Sequence, residues 1–326
     1  MLSRSARGLY WIGRYLERAQ HSCRLLADQF GVLEDRPVEE IDRCWRRLYI
    51  GLVRTPAGGN LESNLGDEQF MLADAYTLAA DLTFEPGNPD GIRNCLAAAR
   101  ENARQVRNVI GKDMWSCLNI AFLGLRDIEV DDIWRDRPEE FYLRTENAIR
   151  TFSGITDSTM YRDGGWHFMQ LGRFVERAQL VAALVDAQLA VFPTSEYHIE
   201  SVWRSLLQIC DARVAYSRLH SLQFQPTAVV DLVVADPLLS RSIRYALARV
   251  WDALDAISSH QPLAVEAGRR AGRMAARIDY DWPNRDPEDD DATRATLMEI
   301  RDSCRKLHDD VEAAYFDYAI EDSPKP

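Results

Sequence analysis

"YWIGRYLERAQ" at residues 10–20 returns as "MQLGRFVERAQ" at residues 169–179. Gly13, Arg14, Glu17, Arg18, Ala19 and Gln20 recur as Gly172, Arg173, Glu176, Arg177, Ala178 and Gln179, each 159 positions later. Around the first copy, Leu9, Ile12, Leu16, Ala19, Cys23, Leu26 and Phe30 recur at steps of three and four. That spacing is an apolar stripe along a helix and not the alternation of a strand.

The same helical period runs through 45–53, 70–82, 92–110, 168–192, 202–222, 243–257 and 297–318. Between these segments fall "TPAGGN" (55–60), "EPGNPDG" (85–91), "FPTSEY" (192–197), Asp236-Pro237 and "WPNRDPEDDD" (282–291), all turn or linker chemistry. One run, "TAVVDLVVAD" (227–236), reads equally as a strand or a short helix. The pattern predicts an all-α helical bundle of about ten to twelve helices forming one domain over 1–326.

The repeat extends beyond its signature. Trp45-Arg46 and Leu48 match Trp203-Arg204 and Leu206 at an offset of 158, and Ile92-Arg93 and Leu96 match Ile243-Arg244 and Leu247 at 151. Three anchors in one order predict two tandem repeats, approximately 1–150 and 160–320, related by a pseudo-twofold axis. The two signature helices should then pack on each other. Glu17 is expected to meet Arg177 or Arg173, and Glu176 to meet Arg18 or Arg14.

Composition narrows the function. With 51 acidic against 39 basic residues the formal net charge is −12, which argues against a nucleic-acid partner. No window approaches 18 uninterrupted apolar residues, so no membrane span is expected. The Arg-rich N-terminus resembles an organelle-targeting segment, but it holds the motif that recurs mid-chain, so it is read as part of the fold. Cys23, Cys44, Cys95, Cys117, Cys210 and Cys304 are widely spaced with no Cys-x-x-Cys, and are expected to be reduced and mostly buried. The expected location is the cytoplasm.

Within each signature, Arg14, Glu17 and Arg18, or Arg173, Glu176 and Arg177, lie three or four apart on one helix face. Gly13 and Gly172 each weaken a helix interior by about 1 kcal/mol relative to alanine, which suggests close approach of a backbone or a ligand. Two readings stay open. The facing Glu and Arg side chains form a structural ion-pair network, or the arginines bind a carboxylate or phosphate bidentately. Arg100, Glu101, Asn102 and Arg104 are candidates to extend such an anion site, and otherwise make a solvated charged face. His167 reads as a helix-start or packing residue before a general base, and "DPEDDD" (286–291) as a solvated acidic linker. A di-iron bundle wants Glu-x-x-His, whereas Gln20 and Gln179 follow the two glutamates, so neither a metal nor another cofactor is expected. Walker-type, Rossmann and Gly-x-Ser-x-Gly motifs are all absent.

Three stretches, "LSRSARGLYWIGRYLERAQ" (2–20), "NPDGIRNCLAAARENARQVR" (88–107) and "GWHFMQLGRFVERAQ" (165–179), together resemble the bacterial alpha-E family, an all-helical domain named for its Glu-Arg motif. The resemblance covers nearly the whole chain, from Leu2 to about Tyr318. Matching positions put the motif on Glu17-Arg18 and Glu176-Arg177, and an Arg-Glu-Asn-Ala-Arg segment on Arg100 to Arg104. Family members typically accompany a circularly permuted ATP-grasp ligase, often with a transglutaminase-like protease and a proteasome-like peptidase. The resemblance therefore implies a non-catalytic partner that binds the ligase or its peptide or acyl-phosphate substrate. An alternative is an enzyme of the same pathway, transferring a peptide or amino-acyl group with Glu17 or Glu176 as acid/base. A free-standing scaffold is a third reading. So many arginines should hold the glutamates ionised, which favours binding over proton transfer.

Overall fold

The computed structural model describes residues 3–31, 37–54, 68–135, 137–195, 200–220, 224–257 and 262–317. The linker 55–60, the tail of the 192–197 turn and Tyr318 lie outside them. Among the described residues there are fourteen α-helices and no strand, slightly more helices than the sequence pattern suggests. In chain order they are α1 (Ser3–Gly31), α2 (Val38–Leu52), α3 (Glu68–Thr83), α4 (Ile92–Gln105), α5 (Lys112–Arg126), α6 (Val130–Arg135) and α7 (Pro138–Thr159). Then follow α8 (Gly164–Val191), α9 (Glu200–Ile209), α10 (Arg213–Leu219), α11 (Pro226–Ala235), α12 (Ile243–Ala256), α13 (Pro262–Ala276) and α14 (Asp290–Val311). The ambiguous run is α11. Pro226 occupies its first turn, where a missing N–H does no harm, and burial of Val229, Val230, Val233 and Val234 on neighbouring helices overrides their strand preference.

The signature helices α1 and α8, 29 and 28 residues long, form the centre and are buried on most of their circumference. Asp163 starts α8 by accepting hydrogen bonds from the N–H groups of Gly165 and Trp166, at 2.8 and 3.4 Å. α1 packs along α8. Around this pair the packing is reciprocal: α4 and α7 cover α1, α12 and α14 cover α8, α2 crosses onto α8 and α9 onto α1.

Both signature glycines sit at the crossing. A Cβ on Gly13 would overlap the Met169 carbonyl and lie 2.8 Å from the Arg173 nitrogen, while one on Gly172 would overlap the Tyr10 carbonyl and lie 2.9 Å from its carbon. The Cα–H groups instead point at those carbonyls, a contact open only to glycine here. Two further features recur in register. The helices carrying Trp45 and Trp203, both buried, are each followed by a non-glycine residue in the left-handed region, Val53 (φ 55°) and Asp211 (φ 52°). α4 and α12 begin at the matched residues Ile92 and Ile243. All six cysteines are unpaired thiols, buried except for the partly exposed Cys117. Among the described residues no helix is long and apolar enough to cross a membrane.

Candidate functional site

Helical periodicity puts Arg14, Glu17 and Arg18 on the side of α1 that faces α8, and the glycine crossing brings the axes close enough for direct pairing. The Glu17 carboxylate takes a fork from Arg177, whose Nε and Nη2 donate to Oε1 and Oε2 at 2.7 and 2.6 Å. Reciprocally, Glu176 accepts from Arg14 Nε at 2.6 Å and Arg18 Nε at 2.7 Å. Both glutamates are almost completely buried.

The surroundings of the two glutamates differ. Beyond Arg177, Glu17 has Arg241 at 3.3 Å, from the turn before α12, and Arg173 at 3.6 Å. On the Glu176 side, Asp90, from the turn before α4, pairs with Arg18. Asp90 and Arg241 each stand two residues before the matched isoleucines. One turn therefore supplies a neutralising acid and its counterpart a further cation.

Arg241 was not among the sequence candidates, and neither was the network it joins. Asp211 lies 3.4 Å from Arg241, 2.5 Å from Arg24 and 3.1 Å from Arg150. Glu146 pairs with Arg24 and Arg150 at 2.5 and 2.8 Å. Arg173, Arg177, Arg241, Arg24, Arg150 and Arg249 all line one open cleft of about 500 Å³, with Asp157 and Asp211 as its acidic residues. Trp166, Phe174 and Tyr245 supply aromatic surface to the same cleft. On the other side of the helix pair, Arg18 and Glu176 border a smaller recess of about 210 Å³, which Val53 and Asp90 also line.

The remaining sequence candidates lie apart from both spaces. Arg100 donates to Asn119 and covers the rings of Trp115 and Phe122, which turns it toward α5. Exposed Arg104 forks onto Glu101 one turn earlier, and Asn102 donates to the Ala98 carbonyl. None of the four lines either cleft, so Arg100, Glu101, Asn102 and Arg104 do not extend the arginine cluster. His167 packs edge-on against Trp166, outside the arginine cleft. Asp289, in the acidic run, caps α14 by accepting from the Ala292 N–H at 2.9 Å. Among the described residues no cluster of three or more His, Cys, Asp or Glu side chains is arranged to hold a metal ion.

Electrostatics fix the charge states. Burial raises the Glu17 carboxyl, but Arg177, Arg241 and Arg173 outweigh it and hold Glu17 well below the usual carboxylate range. Burial likewise raises the Glu176 carboxyl, but Arg14 and Arg18 outweigh it and bring Glu176 down to about 2. His21, buried beside Arg241, is pushed down to about 4 and is neutral at physiological pH. Burial lowers the Arg241 guanidinium; Glu17 opposes the shift, and Arg177 and Arg24 add to it. Both glutamates are thus ionised, and the cations around Glu17 crowd one another.

The depressed glutamates make stability pH-dependent. The unfolded chain takes up these protons near the ordinary value of 4.5 and the folded chain only near 2 at Glu176, so the contribution is complete above about pH 5 and is lost as pH falls toward 2. Urea midpoints of wild type and Glu176→Gln should therefore converge on acidification through that window. A gap that stays constant down to pH 2 would show that the pair is not linked to folding.

The sequence profile of the Alpha-E family, described as a predicted alpha-helical domain with a conserved ER motif, matches residues 1–316, and the chain belongs to that family. Similar chains include uncharacterized proteins of Mycobacterium bovis and of two strains of Mycobacterium tuberculosis, each 26% identical over 258 residues. These matches cover 74% of this chain and 28% of each relative, so the chain spans little more than a quarter of their length. No solved structure is significantly similar.

Proposed function

We propose that this Alpha-E domain is a non-catalytic cytoplasmic module that presents the carboxylate- or phosphate-bearing part of a substrate to a circularly permuted ATP-grasp ligase forming peptide or amide bonds. The observation that carries the reading is the convergence of six arginines on one open cleft with two acidic lining residues. Arginine forks match planar carboxylate and phosphate oxygens, and Arg173 is the cation with most to offer. Its contacts with acids are the longest in the cluster, 3.6 Å to Glu17 and 3.9 Å to Asp157.

Locked ionisation of Glu17 and Glu176 supports binding over acid/base work, since a general acid or base needs a pKa near the working pH. The free thiols fit a reducing compartment. That the matched region is 28% of each relative suits a module working beside other domains, with a transglutaminase-like protease and a proteasome-like peptidase as further partners in the pathway. The reciprocal packing and the matched left-handed residues support an origin by tandem duplication.

Calorimetric titration with inorganic phosphate and with acetylglycine tests the site. Wild type is expected to bind at least one of them, and Arg173→Ala to bind about tenfold more weakly, the loss of a charge-assisted contact, while remaining folded. Equal binding by the two proteins would reject the cleft as the site. Affinity recovery from native cells tests the partner: identification of an ATP-grasp ligase supports the module reading, and recovery of the chain alone counts against it.

A further inference from the structure

The arginine cleft does not end at Asp211. It shares Arg24, Arg150 and Asp211 with a neighbouring open groove of about 460 Å³, which in turn shares Gln208, Asp211 and Arg213 with a third of about 540 Å³ along α10. Asp211 borders all three openings, so they meet there as one branched furrow that offers more surface than a phosphate or a single amino acid requires.

The charge differs from opening to opening. The arginine cleft sets six arginines, of which Arg24 and Arg150 are shared with the next opening, against Asp157 and Asp211. The second opening is mixed, with Arg24, Arg150, Arg204 and Arg213 facing Asp28, Glu139, Glu146 and Asp211. The third offers Arg213 and Arg218 beside the exposed side chain of Val214. A polyanion would gain in the arginine cleft and find no net positive charge in the second opening, where four arginines face four acids. A chain with one anionic end and a neutral polar body suits this balance: Arg24 and Glu146 are buried and paired with each other, while exposed Arg204, Gln208 and Arg213 are left to meet its backbone groups.

Resting on the reading of the cleft as an anion site, we propose that the furrow binds the carboxyl-terminal end of an extended peptide, its terminal carboxylate between Arg173 and Arg241 and its upstream residues running past Asp211 to α10. Arg173 and Arg241 position the carboxylate, and the Arg213/Val214/Arg218 segment reads the chain several residues upstream.

The test is fluorescence anisotropy with a labelled neutral Gly/Ser/Ala octapeptide bearing a free carboxyl end, compared with its carboxamide and with competition by the carboxyl-terminal dipeptide. Calorimetry with inorganic phosphate runs alongside. The free-acid octapeptide is expected to bind about tenfold more tightly than the amide and about tenfold more tightly than the dipeptide. Arg173→Ala should erase the acid–amide difference. The exposed Arg213→Gln/Arg218→Gln pair should weaken the octapeptide severalfold and leave phosphate and dipeptide unchanged. Equal affinity for octapeptide and dipeptide, no effect of the α10 variant, or phosphate binding without peptide binding would each overturn the peptide proposal while leaving the anion site standing. Failure of phosphate and both peptides would remove the anion site itself.

Discussion

Glu17→Gln is expected to lose about 3 to 5 kcal/mol of folding stability, because a buried ion pair that loses one partner leaves an uncompensated buried charge. The expectation belongs at the upper end here. Glutamine keeps the shape of glutamate, so the fork from Arg177 loses charge and one acceptor but no volume. What remains is three guanidiniums, Arg173, Arg177 and Arg241, within reach of one neutral side chain, two of them almost fully buried. The loss should appear as a lowered urea midpoint with an unchanged slope. Glu101→Gln, which removes an exposed partner of Arg104, should barely move it. Phosphate sharpens the test, since a ligand that binds only the folded chain stabilises it by mass action. It should restore part of the lost stability in Glu17→Gln, whose freed cations line the large cleft. Glu176→Gln should gain little, because Arg14 is buried and Arg18 keeps Asp90. A Glu17→Gln protein with a near-wild-type midpoint would show that Glu17 does not hold the fold together. Equal rescue of both variants would contradict the difference between the two sides.

That difference marks the limit of what the sequence displays. The repeated Gly-Arg-x-x-Glu-Arg string fixes a helix face by spacing alone, and two such faces with complementary charges in one chain point to each other. Glu17 on Arg177 and Glu176 on Arg14 and Arg18 were therefore legible. The network of Arg24, Glu146, Arg150 and Asp211 was not: Glu146 and Arg150 are an ordinary i,i+4 pair on α7, and only packing of α7 and α9 against α1 joins them to Arg24 and Asp211. Arg241 left a faint trace. It occupies in "RSIR" (241–244) the place that Asp90 occupies in "DGIR" (90–93), and an acid exchanged for a cation at a matched position was the available signal. Arg100 and Arg104, for which a solvated charged face and an extension of the anion site were both open, show the converse limit. Their spacing is as regular as that of the signature, but periodicity does not tell which neighbour a face meets, and this one turns to α5 and solvent.

Gly172→Ala is the second large effect, and its sign runs against helix propensity. In an open helix interior the change stabilises by about 1 kcal/mol, and Gly268→Ala in α13, where a Cβ would meet nothing within 4 Å, should do so. At Gly172 the added methyl group would strike the Tyr10 backbone, at 2.9 Å from its carbonyl carbon and closer still to the oxygen. No rotamer relieves a clash with main chain, so α1 and α8 must separate along their crossing. Overpacking typically costs about 1 to 3 kcal/mol, and a backbone obstacle on the two central helices places this case at about 3 kcal/mol or more. Separation also stretches the pairs of Glu17 and Glu176, which depend on the close approach. Gly172→Ala and Glu176→Gln should therefore combine to less than the sum of their separate losses, by about 1 kcal/mol or more, as residues acting through one contact do. Measured urea midpoints for the two single variants and the double give that coupling directly. Strict additivity would mean that the glycine crossing and the ion pairs hold the helices independently. A stabilised Gly172→Ala would mean that α1 and α8 do not meet as closely as the crossing requires, and the arginine cleft built on that meeting would lose its floor.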